Sequence, residues 1–250
     1  MSQFNTALGR RLPGSGQSIQ TPAGRFRDKL DWIAGYVGDK SVLYIGSVDA
    51  NPENFDKHRA AQALLEERAG SLLGIYSTDE QVAGIREAGH KARRGEVEEL
   101  DLAASFDVVV AADNIEHLAN CGRFLHSMER HLAPDGVFLV STPNPTSLVR
   151  ILELLARRRT KANLEHTGWY TGQVLDQLAR RFGLFVETEV FIDEMHKYHQ
   201  TGPGSRRTGT VNKLAKRLLV GLNRVACTAF PQLSETFGFV LRKSPVARGT

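Results

Sequence analysis

Apolar residues along this chain fall into short unbroken runs and helical repeats, and the two alternate. The runs are Ser41–Ile45 (SVLYI), Ser71–Tyr76 (SLLGIY), Phe106–Ala112 (FDVVVAA) and Val137–Ser141 (VFLVS). Each is too brief for a helix, and such runs are expected of parallel strands covered on both faces. Between them, Phe26–Val37 carries Phe26, Leu30, Ile33 and Val37 at helical spacing, and His58–Ala69 is a run of strong helix formers. Glu80–Ala88 reads as a helix that Gly89 ends as a C-cap, and another is predicted near Arg123–Leu132. The strand Val137–Ser141 is entered through Pro134-Asp135-Gly136, and Phe237–Arg242 is a candidate last strand. Strands alternating with helices predict an α/β fold, a doubly wound, mostly parallel sheet with right-handed crossovers.

The most informative segment is Phe106–Asn144. Its first strand stops at Asp113-Asn114. Ligands of open α/β sheets bind outside the carboxyl ends of the strands, so polar residues there are placed for chemistry. Asp113, Glu116 and His117 are spaced to share one face once a helix begins. Two carboxylates and an imidazole suit a divalent ion such as Mg²⁺. Equally, His117 or His166 can be neutral near pH 7 and serve as a metal-free general base, with Asp113 beside it. A third reading is structural, with Glu116 tying down backbone and His117 packing. The residues alone leave the three open.

Composition narrows the setting. At 250 residues and 41% hydrophobic content, the chain can bury one large core, alone or with a lid. No apolar run is long enough for a membrane span. The N-terminal MSQFNTALGRRLPGSGQ lacks the apolar core of an export signal. Two cysteines, Cys121 and Cys227, are too few for a disulfide framework and fit a reduced, cytoplasmic setting. Residues 1–22 read as a flexible arm, 23–192 as the core, 193–232 as a basic loop and amphipathic helix on the lid or substrate side, and 233–250 as the last strand and tail. Charge is divided unevenly. Residues 1–149 hold 15 basic and 20 acidic side chains, and 150–250 hold 17 and 8. The run Arg157-Arg158-Arg159-Thr160-Lys161 and the helix Val211–Phe230, with stripe Val211, Leu214, Leu218, Leu222 and Val225, read first as solvated faces. The alternative is attraction to an anionic partner: a phosphorylated or nucleotide-linked substrate, an anionic membrane surface or RNA. His196–Arg207 lacks periodicity and reads as a loop over the site. His126 and His131 read as surface positions, and Trp169 and Tyr170 as core or acceptor-pocket residues.

Six blocks in order, SVLYIGS, LLGIYSTDEQVAGIREAG, GEVEELDL, FDVVVAADNIEHL, LAPDGVFLVSTPN and EHTGWYTGQVLDQLARRFGL, resemble the class I S-adenosylmethionine-dependent methyltransferases of small-molecule type. The resemblance runs from about Leu30 to Phe191 and implies a Rossmann-like, seven-stranded sheet. It implies a cofactor held by Gly46, Ser47, Tyr76, Ser77, Glu96, Val97 and Asp113. Two positions depart from the family: the loop after Gly46 has lost its other glycines, and Tyr76 stands where an acidic residue usually grips the ribose. Asp79 or Asp49 are candidate compensations. Asp113-x-x-Glu116-His117 is similar to the E-x-x-E-H pattern of ubiquinone-biosynthesis O-methyltransferases and of small-RNA 2′-O-methyltransferases. In that likeness His166 completes a metal site with Asp113, Glu116 and His117. The resemblance implies methyl transfer from S-adenosylmethionine to a hydroxyl of a small molecule, with a sugar or glycolipid precursor first, a phenolic or polyketide-like acceptor next, and nitrogen or carbon acceptors open. A non-catalytic relative and an RNA 2′-O-methyltransferase are the alternatives. The expected partners are an acceptor, anionic or glycosidic among the candidates, and a second copy of the chain in a homodimer; nucleic acid is not expected.

Overall fold

The computed structural model describes residues 24–46, 52–159, 163–194 and 210–245, without the side chains of 52–53 and 210–219. Eight strands form one sheet: β1 (Arg25–Phe26), β2 (Ser41–Ile45), β3 (Ser71–Tyr76), β4 (Ala92–Arg94), β5 (Phe106–Ala112), β6 (Leu132–Pro143), β7 (Leu184–Ile192) and β8 (Thr236–Lys243). Seven helices accompany them: α1 (Lys29–Val37), α2 (Pro52–Glu66), α3 (Asp79–Glu87), α4 (Cys121–His131), α5 (Leu148–Arg157), α6 (Gly172–Arg180) and α7 (Thr210–Ala229). The strand order is β1-β7-β8-β6-β5-β2-β3-β4. All neighbours are parallel except β8, which runs antiparallel to β6 and β7.

The α/β reading holds, with differences at specific elements. The eighth strand is β1, where Arg25 and Phe26 pair in parallel with Phe191 and Ile192. The predicted helix therefore begins at Lys29, where Asp28 caps it by accepting from the Leu30 amide. Phe26 fits the helical repeat but packs from the strand instead, against the cluster containing Trp32 and Val37. The strand predicted from Val137 begins at Leu132, running through Pro134 with an irregular register opposite Phe106 and Val108. Helix α2 starts earlier than predicted, and β4, α5, α6 and β7 had no counterpart among the predicted elements.

Alternation along the strands divides the core between the two faces of the sheet. Val42, Tyr44, Val108, Val110 and Leu139 pack with Trp32 and Val37 of α1. Leu43, Ile45, Val109, Ala111, Phe138 and Val140 pack with Phe124, Leu125 and Met128 of α4. His131, expected at the surface, is 3% exposed. Its Nδ1 lies 2.7 Å from the Ser127 carbonyl and its Nε2 accepts from the Leu102 amide, so α4 uses it to hold the 100–102 segment. Helix-capping chemistry fixes the entry of α3, where Thr78 and Gln81 make a reciprocal capping box. No helix among the described residues is long and apolar enough to cross a membrane. The expected arm at 1–22, Asp49 and the loop His196–Arg207 lie outside the described residues.

Candidate active site

The polar constellation sits at the carboxyl edge of the sheet, where β5 and β6 end side by side. Asn114 is fully buried and its Nδ2 donates to the carbonyls of Ile45 and Ala112, tying the ends of β2 and β5 together. Asp113 is left-handed, with φ 54°, a conformation aspartate tolerates better than most residues. Its amide donates to the Ser141 carbonyl, and its carboxylate accepts from Ser141 Oγ at 2.8 Å and from Lys29 Nζ. Lys29 Nζ also lies 3.5 Å from Glu194, so the start of α1 and the end of β7 are joined to the edge through one ammonium.

Glu116 points into the protein and is 2% exposed. Its Oε2 accepts from Thr142 Oγ1 at 2.9 Å. Burial is the main cause that pushes its carboxyl up to about 7, against hydrogen bonds and the Lys29 and Arg150 charges that lower it. The Glu116 carbonyl accepts from the Thr167 amide, and Thr167 Oγ1 donates to the carbonyls of Glu116 and Leu118. This docking carries His166 across to His117. Their rings meet edge to face with centroids 4.8 Å apart. Burial first, then the His117 and Arg150 charges, lowers His166 to about 4. Arg150 itself lies over the Trp169 ring at 4.8 Å.

Glu116, His117 and His166 each offer a ligand atom, and these atoms lie within 4.8 Å of one another. One carboxylate and two imidazoles form a chemically reasonable set for a divalent transition ion. Asp113 is not in this group; its carboxylate is committed to Lys29 and Ser141.

A cavity of about 360 Å³ opens beside these residues, lined in part by Tyr76, Ser77, Glu96, Val97, His117 and Leu118. Its size falls in the ~300–1,000 Å³ range of small-molecule sites. Tyr76, Ser77, Glu96 and Val97 thus meet at one opening, with His117 common to the cavity and the carboxylate–imidazole cluster. Gly46 and Tyr76 pack against each other at the ends of β2 and β3. A Cβ on Gly46 would stand 2.2 Å from the Tyr76 ring, so the space freed by the missing side chain is filled by tyrosine. Tyr76 Oη donates to Gln62 Oε1 at 2.8 Å, and its ring is 1% exposed. Its hydroxyl is spent in the interior. Carboxylates at the cavity come instead from Glu96, Glu98 and Glu99, of which Glu98 accepts from the Asn120 amide and Glu99 pairs with Arg123. Ser47 lies outside the described residues.

Sequence reasoning missed Lys29, Thr142, Thr167 and Arg150. Lys29 and Arg150 belong to no quoted block, and Thr142 and Thr167 were in blocks read for other residues. Each reaches the site because the fold brings together segments distant in the chain. The Thr-Pro-Asn at the end of β6 and the Thr after His166 were the available signals for two of them.

Residues 34–189 match the methyltransferase domain family. A probable S-adenosylmethionine-dependent methyltransferase of Mycolicibacterium smegmatis is 33% identical over 142 residues, 56% of this chain and 51% of that protein. A ubiquinone biosynthesis O-methyltransferase of Rickettsia felis is 32% identical over 128 residues, 50% of this chain and 52% of its own length. The chain thus spans about half the length of these curated relatives. The crystal structure of a SAM-dependent methyltransferase from Archaeoglobus fulgidus superposes with a TM-score of 0.55 at 15% identity, covering 85% of this chain and 90% of that one, and shares the fold. The chain belongs to the class I S-adenosylmethionine-dependent methyltransferases.

Proposed function

We propose that this chain transfers a methyl group from S-adenosylmethionine to a hydroxyl oxygen of a small molecule. The observation that carries the reading is the position of His117, which lines the cavity and also belongs to the cluster with Glu116 and His166. A hydroxyl held against that cluster faces a ligand in the cavity. Ser77, Glu96, Val97 and Leu118 would hold the cofactor's nucleoside, and the backbone at Ala112-Asp113 would border its methionine end. Glu96 is the candidate for the ribose hydroxyls in place of Tyr76, since a carboxylate offers two acceptor oxygens. When bound, S-adenosylmethionine supplies an electrophilic methyl group.

The chain's own residues supply orientation and a proton acceptor. His166, neutral at pH 7 because its site disfavours the imidazolium, accepts the hydroxyl proton as the oxygen attacks. His117 stands against its ring and keeps the acceptor oxygen at the cavity wall. Glu116, anchored by Thr142, fixes the geometry of both through the 116–118 backbone to which Thr167 is bonded. If a divalent ion is used, Glu116, His117 and His166 are the residues that would hold it, and Lewis-acid assistance to the hydroxyl is the chemistry it would add. A sugar, glycolipid precursor or phenol is the proposed acceptor class.

The buried Tyr76 hydroxyl supports a second reading, a relative that kept the fold without the cofactor. Calorimetric titration with S-adenosylhomocysteine separates the two. Saturable binding at micromolar ligand is expected, and no heat at millimolar ligand would eliminate the enzyme reading.

A further inference from the structure

A second cavity, of about 70 Å³, lies between β1, the chain after β7 and α7. Its lining is Arg25, Arg27, Asp193, Arg224 and Thr228. Extended backbone sends Arg25 and Arg27 to one side while Phe26 enters the core between them. Arg224 and Thr228, four apart, share a face of α7. Three guanidinium groups from two unconnected elements therefore converge on one small space.

Arg25 is fixed at this site. Its Nη2 donates to Asp193 Oδ2 and its Nη1 to Thr228 Oγ1, both at 2.8 Å, while Thr228 Oγ1 donates to the Arg224 carbonyl. Asp193 is 6% exposed and lies under the cavity. Burial, then the Asp193 charge, pushes the neighbouring Glu235 up to about 7. Among the described residues, Arg27 and Arg224 form no ion pair. Three guanidinium groups outnumber the Asp193 and Glu235 carboxylates even when both are charged, which leaves a positive excess at the cavity.

We propose that this cavity is an oxyanion subsite that anchors a phosphomonoester on the methyl acceptor. A phosphomonoester carries about −1.5 to −2 charge at pH 7, which a positive excess attracts more strongly than a monoanion. Guanidinium forks match phosphate oxygens with paired N–H donors, where an ammonium offers only a point charge. The space takes several water-sized spheres, enough for a phosphoryl head. The rest of the acceptor must extend out of it. Its direction is set by the chain, because Lys29, joined to Asp113 and Glu194, follows Arg27 by two residues, at most ~7 Å between α-carbons. Lys29 thus links the subsite to Asp113, and the proposal rests on the methyl-transfer reading for the identity of the phosphate carrier.

The test is titration of the full chain with inorganic phosphate at pH 7.5 and low salt, followed by ³¹P NMR. The Arg27→Gln/Arg224→Gln double variant and an Arg59→Gln control, an exposed arginine on α2, are measured in parallel. Saturable millimolar binding is expected, weakened at least tenfold in the double variant and unchanged in the control. Dimethyl phosphate, a diester monoanion, should bind at least tenfold more weakly than inorganic phosphate. Absence of saturation, equal affinity in the double variant, or equal affinity for the diester would each overturn the proposal. Both arginines are exposed, and thermal melts of the variants within a few degrees of the parent confirm folding. S-Adenosylhomocysteine titrated into the same samples separates the two failures. Cofactor binding without phosphate binding rejects only the subsite, and the converse rejects only the methyltransferase reading.

Discussion

His166 stands edge-on to His117, ring centroids 4.8 Å apart and planes at 87°. Two imidazoles this close disfavour double protonation, and burial adds to the effect, so His166 is lowered to about 4. An unperturbed histidine base would lose activity as pH falls through about 6.5. Here the acid limb of kcat/KM, which reports the free enzyme, should lie well below that, toward pH 4, and His166→Gln should lower kcat by about 10²–10⁴-fold. A pH–rate profile with its acid limb at 6.5 would assign the base elsewhere. The same shift bears on stability. Between pH 6.5 and 4 the unfolded chain binds the proton and the folded chain does not, so this group's contribution is full above 6.5 and is lost as pH falls through 4.

Glu116 runs the other way. Its carboxyl is raised to about 7, so between about pH 4.5 and 7 the folded state holds the proton and stability declines as pH rises. Glu116→Gln keeps the shape and removes the charge. The variant should melt at the same temperature as the parent at pH 4.5 and at a higher one at pH 8, a gain in stability of at most about 3 kcal/mol. A divalent ion on Glu116, His117 and His166 would reverse this. Adding Mg²⁺ or Mn²⁺ would then raise the parent's melting temperature at pH 8 and leave the variant's unchanged. Calorimetry at both pH values with and without EDTA reads both effects, and identical parent curves in all metal conditions would reject the chelated site.

Much of the fold was legible because buried parallel strands announce themselves as short apolar runs. Ser41–Ile45, Ser71–Tyr76 and Phe106–Ala112 begin and end where the sequence reading has them. The edge elements were less legible. Phe26 satisfies the α1 repeat and a strand equally well, and only pairing with Ile192 decides between them. The site was partly legible too. Strand-end logic found Asp113, Glu116 and His117, but spacing could not tell that left-handed backbone at Asp113 sends its carboxylate to Lys29 and Ser141. Nor could it tell that Tyr76 faces Gln62, a contact made between β3 and α2.

That contact has measurable consequences. Tyr76→Phe removes the donor to Gln62 Oε1 and leaves a buried acceptor unpaired, at a cost of about 1–3 kcal/mol. Urea unfolding should show that loss, while S-adenosylhomocysteine affinity changes less than about threefold. A larger drop in affinity would mean that the hydroxyl turns to the ligand when it binds. Gly46→Ala is the complementary change. Its new methyl would collide with the Tyr76 ring and should destabilise the fold by about 1–3 kcal/mol.

Lys29 holds three segments together through Asp113 and Glu194. Its side chain is 17% exposed and that of Glu194 is 11%, so the pair sits where water screens it only in part. Lys29→Met leaves two carboxylates at the edge without their shared cation and should cost on the order of 1–3 kcal/mol. Lys29→Arg should recover more than half of it by restoring the charge. Asp113 is left-handed and bonded to the end of β6, so releasing its carboxylate should also disturb the backbone proposed to border the cofactor. S-Adenosylhomocysteine binding should then weaken about tenfold in Lys29→Met and return in Lys29→Arg. If stability falls while cofactor affinity stays at the parent value, Asp113 serves the fold alone and is removed from the cofactor site.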